Sequence, residues 1–353
     1  MTWDRRATLN GVMSTSPELH TLHATLSASL AATLSGLKPL RYDHGAHPVE
    51  DLPGHVRGAS SLRRQGRRLV IAQDDVSALA TFDPVTGATH NILLPAGPNG
   101  ARVFDDVRGN KKLKLDLEAS VVLPDGRLIA LGSGSSPNRE KIVTVAAGEG
   151  ALAQQIAGTD LYASLRLHAI ARGSRLNIEG AVVQGPWLRL LQRGNGKRGY
   201  QPWNAIIDVA LHSFVAWLDG RNSFPVVQRI FEVHLGDVGG VPFGFTDGAV
   251  TDDGRLAFIA CAEDTQDAVD DGPIMGCRFG WLEPDHRTVI VTTVTDAEGQ
   301  PTHLKLEGIE ARHGSTSVFD VVADMDRGDE PAQIAELTVV EGPSPGRVAD
   351  LSR

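Results

Sequence analysis

A short apolar run, a polar turn and a second apolar run recur five times along the chain. The copies read "RGASSLRRQGRRLVIAQDD", "LEASVVLPDGRLIALGSGS", "IEGAVVQGPWLRLLQRGN", "TDGAVTDDGRLAFIACAED" and "LEGIEARHGSTSVFDVVADMD". Aligned on the residue before the small pair, they start at Arg57, Glu118, Glu179, Asp247 and Glu307, at steps of 61, 61, 68 and 60 residues. Runs this short, bounded by Gly, Asp and Pro, predict β-strands joined by tight turns. A third run follows in each copy ("ALATFDP", "KIVTVAA", "NAIIDVAL", "CRFGWLEP", "AQIAELTVV"), and a fourth in some, as in "VVQRIFEVHL" and "TVIVTTVT". Each unit therefore reads as a four-stranded antiparallel meander, the blade of a β-propeller.

The expected fold is all-β, a propeller of five four-stranded blades. The fifth copy shows only three strands. "LKPLRYD", residues 37–43, is expected to supply the fourth and so close the ring without exposed edges. A sixth blade built from residues 1–56 is the alternative, although that region lacks the repeated opening. "SPELHTLHATLSASLAATLSG", residues 16–36, predicts one N-terminal helix. Ser16 is its cap, Pro17 its first residue and Gly36 its stop, and Leu19, Leu22, Leu26 and Leu30 form a stripe. The expected organisation is a leader and helix over 1–36, one propeller over 37–345 and a tail over 346–353. A short helix over 160–173 is inserted before the third blade.

Composition narrows the function. With 41% hydrophobic and 22% charged residues the chain is globular, and Gly 38 with Pro 19 suits a turn-rich β fold. A net charge of -9 and pI near 5.7 argue against nucleic acid as partner, since phosphate backbones need a basic face. No apolar run is long enough for a helical membrane span. Two cysteines, Cys261 and Cys277, make neither a disulfide framework nor a zinc cluster. They are expected to be two idle thiols, or one hairpin-spanning bridge if the chain is exported. The expected compartment is the cytoplasm, with export left open; the oligomeric state is not legible.

The innermost strand of a blade lines the central channel, so the repeated residue stands at one mouth of it, with the ends of the second strands behind. Four carboxylates (Glu118, Glu179, Asp247 and Glu307) then surround one axis together with Arg57. Such a ring needs a cation, neutralisation by Arg57, or backbone N–H groups to cap. Oxygen-rich, sulfur-free surroundings select a hard ion such as Ca²⁺. Asp74, Asp75, Asp264 and Glu310 are the candidate bases. Arg193, Lys197, Arg198, Arg139 and Lys141 are the candidate partners of a small anionic ligand.

The order of these motifs resembles the calcium-activated nucleotidases, the apyrases of animal and arthropod-saliva type, and more loosely the esterase-like phytase propellers. The matching stretches are "RGASSL…LVIAQDD", "LEASVV…LIALGSGSSPNREK", "EGAV…WLRLLQRGN", "GFTDGAV…AFIACAED" and "KLEGIEA". The resemblance implies one Ca²⁺ at the channel mouth, with nucleotide phosphates above it. It places the ligands at Glu118, Glu179 and Glu307, at Ser60 or Ser61 in the first blade, and at Thr246 or Asp247 in the fourth. The paired Arg of the third-blade loop appears here only as "QRGNGKRGY", and the nucleotide-stacking aromatics have no clear match.

The reading that results is a Ca²⁺-dependent hydrolase of a phosphoanhydride or phosphoester. Asp74, Asp75 and Arg193 are its candidate catalytic residues, Arg57, Arg139, Lys197 and Arg198 its substrate contacts, and Ser60, Glu118, Glu179, Asp247 and Glu307 its metal ligands. The alternatives are a non-catalytic binding propeller with a structural metal and a metal-dependent lactonase. "GSGSS" (132–136) and "GNGKRG" (194–199) read as turns rather than phosphate loops. His44, His47 and His55 read as an exposed turn, Tyr162 and His168 as helix packing, and "RRQGRR" (63–68) as a solvated turn at the opposite face.

Overall fold

The computed structural model describes residues 16–148, 150, 152–194, 200–221, 226–265 and 272–342. The chain enters through β1 (Glu18–Leu26) and β2 (Leu30–Pro39). The first meander is β3 (Ala59–Gln65), β4 (Arg68–Gln73), β5 (Ala78–Phe82) and β6 (Thr89–Leu93). The second is β7 (Leu117–Val122), β8 (Leu128–Gly132), β9 (Lys141–Val145) and β10 (Ala153–Ala157), followed by helix α1 (Thr159–Ala171).

The third meander is β11 (Ile178–Gln184), β12 (Trp187–Gln192), β13 (Ala205–Ala210), helix α2 (Leu211–Leu218) and β14 (Val227–His234). A two-residue strand, β15 (Asp237–Val238), leads into the fourth: β16 (Val241–Val250), β17 (Leu256–Glu263), β18 (Ile274–Leu282) and β19 (Val289–Thr295). The fifth is β20 (Lys305–Ala311), β21 (Val318–Asp324) and β22 (Gln333–Glu341). The inner strands β3, β7, β11, β16 and β20 stand side by side in a ring, and the protein is a β-propeller.

Alternation along each strand feeds two apolar layers, one on either face of its sheet. In β8, Ile129 and Leu131 enter the layer shared with the third meander, while Leu128 and Ala130 enter the layer shared with the first. Both faces are buried, so the strands read as near-continuous apolar runs rather than as alternating polar and apolar ones. α1 matches the helix expected over 160–173. Its Leu161, Tyr162 and Leu165 are buried, and the Tyr162 hydroxyl donates to Gly132 O at 2.7 Å.

The expectation of a helix over 16–36 is corrected: that segment forms β1 and β2. Leu30, Ala32 and Leu34 alternate inward along β2, a period-two pattern that the helical spacing of Leu22, Leu26 and Leu30 masked. Pairing to neighbouring strands decides the outcome over local propensity. β2 pairs antiparallel with β22, from Leu30–Glu341 to Pro39–Gln333, and is the fourth strand of the fifth meander. The closing strand expected over 37–43 thus ends near where it was expected to begin. β1 runs parallel to β14 and then to β19, stitching the third and fourth meanders at their outer edge. Residues 16–39 therefore complete neighbouring sheets and form no meander of their own.

The cysteines are not idle thiols. Cys261 of β17 and Cys277 of β18 are register partners, their Cα atoms 4.2 Å apart, and they are joined as a disulfide. Among the described residues no helix is long and apolar enough to cross a membrane.

Candidate functional site at the channel mouth

Each inner strand carries one β-bulge near its start. The register slips between Ala59 and Ser61, Leu117 and Ala119, Ile178 and Gly180, Phe245 and Asp247, and Leu306 and Gly308. The residues left unpaired are Ser60, Glu118, Glu179, Thr246 and Glu307. A bulge re-aims a side chain, and here it builds a ring of three glutamates and two hydroxyls at one mouth of the channel. This explains why small residues follow the acids. A Cβ on Gly308 would lie 2.8 Å from the Leu62 backbone nitrogen of the next inner strand.

The bulges correct the register of the repeat. The equivalent of Glu118 is Ser60, not Arg57, in the first unit, and Thr246, not Asp247, in the fourth. Neither hydroxyl is free. Ser60 Oγ donates to Leu117 O, and Thr246 Oγ1 donates to Leu306 O at 2.7 Å. Each ties its strand to the carbonyl preceding the glutamate of the next one.

Asp247 lies deeper, fully buried, and Arg63 grips both of its oxygens at 2.8 and 2.6 Å, while the Ile309 N–H donates to Oδ2 at 3.0 Å. The expectation of Asp247 as a ligand at the mouth is corrected by this pairing. So is the reading of "RRQGRR" as wholly solvated. Arg63 is 4% exposed and also donates to Leu62 O, Ser120 O, Ala181 O and Ile309 O. One guanidinium thus bonds all five inner strands and floors the cavity.

Above it opens a cavity of about 550 Å³, in which acids outnumber bases. Lys114 Nζ bridges Asp74 and Asp116, the latter at 2.8 Å, and Arg139 reaches Asp116 at 2.9 Å. Arg57 pairs with Asp75 at 2.6 Å and Asp105 at 3.3 Å. Arg193 stands among Glu263 (2.8 Å), Glu179 (3.4 Å) and Glu307 (3.8 Å). Lys305 reaches Glu307 at 3.4 Å and Asp326 at 2.8 Å. Lys114, Asp116 and Lys305 were not singled out from sequence, although Asp116 and Lys305 each stand two residues before a repeated glutamate.

Asp74, Asp75, Arg193, Arg57, Arg139, Glu118, Glu179, Glu307 and Ser60 all line this one cavity, as does Asp264. Lys197 and Arg198 lie outside the described residues. His44 and His55 bond Gly45 O and Gly328 O and do not join the site.

The acids are not equally satisfied. Among the described residues Glu118 has no hydrogen-bond or ion-pair partner. Burial, then the charges of Asp116, Glu179 and Asp74, push its pKa well above the ordinary range. Burial does the same to Glu307, whose Oε2 is buried without a hydrogen-bond partner, and to Asp324. Asp75, raised by burial and by Asp74 to about 6, keeps Oδ1 unpartnered. Carboxylate oxygens of Asp74, Asp116 and Glu118 lie within 4.8 Å of one another. An all-oxygen donor set with Glu118 and Glu307 Oε2 lacking hydrogen bonds fits a hard divalent ion.

Gly58 sets the floor beneath Asp74 and Asp75. Its φ is +55°, and a Cβ there would sit 2.1 Å from Asp74 Oδ1 and 2.7 Å from Asp75 Oδ1. Gly58→Ala is therefore expected to displace both carboxylates and to weaken ligand binding at the mouth while the protein stays folded. Ligand titration alongside circular dichroism checks this; unchanged binding would contradict it.

Glu310 lies in the channel beside Arg63. Burial pushes its pKa from 4.5 to about 7, with Arg63 opposing. A carboxylate raised in the folded state favours folding only while protonated. Its contribution is fully present below about 4.5 and is lost as pH rises through about 7. The melting temperature of wild type is expected to fall relative to Glu310→Gln between about pH 5 and pH 8. Parallel curves for the two proteins would refute it.

No curated protein sequence matches this chain. Among solved structures, the glutaminyl cyclase of Myxococcus xanthus is similar at 12% identity, covering 92% of this chain and 99% of its own, with a TM-score of 0.45. The PQQ-bound aldose sugar dehydrogenase of Streptomyces coelicolor is similar at 13% identity, covering 86% and 98%, with a TM-score of 0.42. No chemistry passes from either to this site at that similarity. A sequence model spanning the meanders does match, over residues 55–339, and by it the chain belongs to the family of unknown function DUF6929.

Proposed function

We propose that the channel mouth is the site of a divalent-cation-dependent hydrolase acting on a small phosphoester or phosphoanhydride, with Ca²⁺ as the ion. The observation that carries this reading is Glu118, unpartnered among acids whose oxygens lie within 4.8 Å of one another. Glu118 would hold the ion, with Asp74 and Asp116 beside it and Glu179 and Glu307 from the ring. When bound, such an ion supplies counter-charge and Lewis acidity toward a phosphoryl oxygen.

The chain's own residues supply the rest. Arg57 fixes Asp75 through one oxygen, which leaves the other to accept a proton from water. Arg193 and Lys305 offset the charges of Glu179, Glu263 and Glu307. A second reading, a binding propeller with a structural cation, is favoured by the pairing of Arg57, Lys114, Arg139 and Arg193. Each of these four cations, which an anionic substrate would need, is already matched to an acid.

The test is thermal unfolding of chelator-stripped protein with Ca²⁺, Mg²⁺ or neither, followed by phosphate release from a nucleotide and phosphoester panel. A midpoint raised by Ca²⁺ in preference to Mg²⁺, with phosphate release, supports the hydrolase. Ca²⁺ stabilisation without turnover supports the binding reading. No shift with either ion removes the cation from both.

A further inference from the structure

At the end of the propeller opposite the mouth, the layer between the third and fourth meanders is apolar at Leu191, Ile206 and Phe231. It is capped by a charged cluster. Arg189 of β12 and Asp208 of β13 are both fully buried and meet at 3.2 Å, and Arg229 of β14 grips the same carboxylate at 2.5 Å. The turn between β18 and β19 lays His286 against Arg189, both ring nitrogens 3.4 Å from Nη2. His286 holds this position with a φ of +54°. Arg189 Nη1 is buried without a hydrogen-bond partner.

Charge balance sets this cluster apart. Three other arginine clusters at the same end have at least as many acids as arginines, and the two arginines that share Asp83, Arg67 and Arg68, are solvent-exposed. Arg64 and Arg312 share Asp320 and Glu336, Arg255 has Asp253 and Glu341, and Arg127 and Arg221 share Asp125 and Asp219. Among the described residues Arg189 and Arg229 form ion pairs with Asp208 alone. A desolvated net positive charge is costly and calls for a counter-ion. The Arg229 side chain is 20% exposed and His286 half-buried, so an anion from solvent reaches both, with Arg189 sealed behind them.

We propose that this far-end cluster is a binding site for a small oxoanion of the phosphate class, held by Arg229 and His286 with Arg189 backing them. The site is independent of the mouth. The groups facing His286 are Arg189, Arg229, Asp208 and the nearby His20 of β1, with Asp285 and Arg287 on its own turn. Burial and the two arginines hold the imidazole neutral in the free protein. A bound anion reverses that, so binding tightens as pH falls through the ordinary histidine range.

The experiment is calorimetric titration of metal-free full-length protein with inorganic phosphate, and separately with sulfate, at about pH 6 and pH 8. Wild type, Arg229→Gln, His286→Asn and Glu118→Gln are compared. Asn tolerates the left-handed backbone at position 286, so that variant tests the site even if Arg229→Gln fails to fold. One anion per chain is expected, tighter at the lower pH. Binding should be about tenfold weaker in His286→Asn, weaker in Arg229→Gln, and unchanged in Glu118→Gln. Absence of binding up to about 10 mM at both pH values overturns the site, as does loss in Glu118→Gln with retention in His286→Asn.

Discussion

Arg63→Met is expected to destabilise the protein by roughly 3–5 kcal/mol, far more than a typical single substitution. The reason is geometric. The Arg63 guanidinium donates to Leu62, Ser120, Ala181 and Ile309 carbonyls and to Asp247, one acceptor from each inner strand. Removing it orphans several buried acceptors and leaves Asp247 charged and unpaired in the interior, where burial already raises its pKa to about 6. Arg63→Lys is not expected to rescue, because an ammonium cannot reproduce a planar fork with five donors. Adding Asp247→Asn to Arg63→Met is expected to recover part of the loss, since it removes the stranded charge. Urea unfolding of the four proteins measures these terms; an Arg63→Met variant within about 1 kcal/mol of wild type would show that the hub is dispensable.

Glu118→Gln is expected to act in opposite directions on stability and on ligand binding. In the cation-free protein Glu118 is desolvated among Asp74, Asp116 and Glu179, so its charge opposes folding. Its pKa is higher in the folded than in the unfolded state, so the destabilisation grows as pH rises above the unfolded value. The isosteric amide removes it. Glu118→Gln should therefore be more stable than wild type without metal, by roughly 1–2 kcal/mol near neutral pH. It should also lose the thermal shift with Ca²⁺, its affinity weakened at least about 10- to 100-fold. A variant less stable than wild type without metal would show that Glu118 is a structural tie. A retained Ca²⁺ shift would place the ion elsewhere.

The fold was legible because apolar runs of strand length recurred with the same opening. The three glutamates of the mouth were legible because each precedes a small residue that the crowded ring demands. The first and fourth units misled because their bulge positions hold Ser60 and Thr246, whose hydroxyls serve as ties; the nearest charged residues, Arg57 and Asp247, took their place in the alignment. Arg63 was illegible because four of its acceptors are carbonyls, which every residue carries. The strands over 16–39 were hidden because leucine spacing there satisfies a helical period as well as an alternating one. Nothing in the local sequence specifies the partners that decide between them.

The placement of β2 bears on how the chain reaches its fold. Its partner β22 lies some three hundred residues later, from Gln333 to Glu341. Contacts so far apart in sequence slow folding, because the entropy of closing a very long loop is lost before the contacts form. On the ribosome, β2 emerges early and must wait, with unsatisfied backbone groups, until the last sheet has been made. A circular permutant in which residues 16–39 follow residue 342, through a linker long enough to reach the start of β1, would place β2 soon after β22 in the chain. It should refold faster, with fewer aggregates, at nearly unchanged final stability.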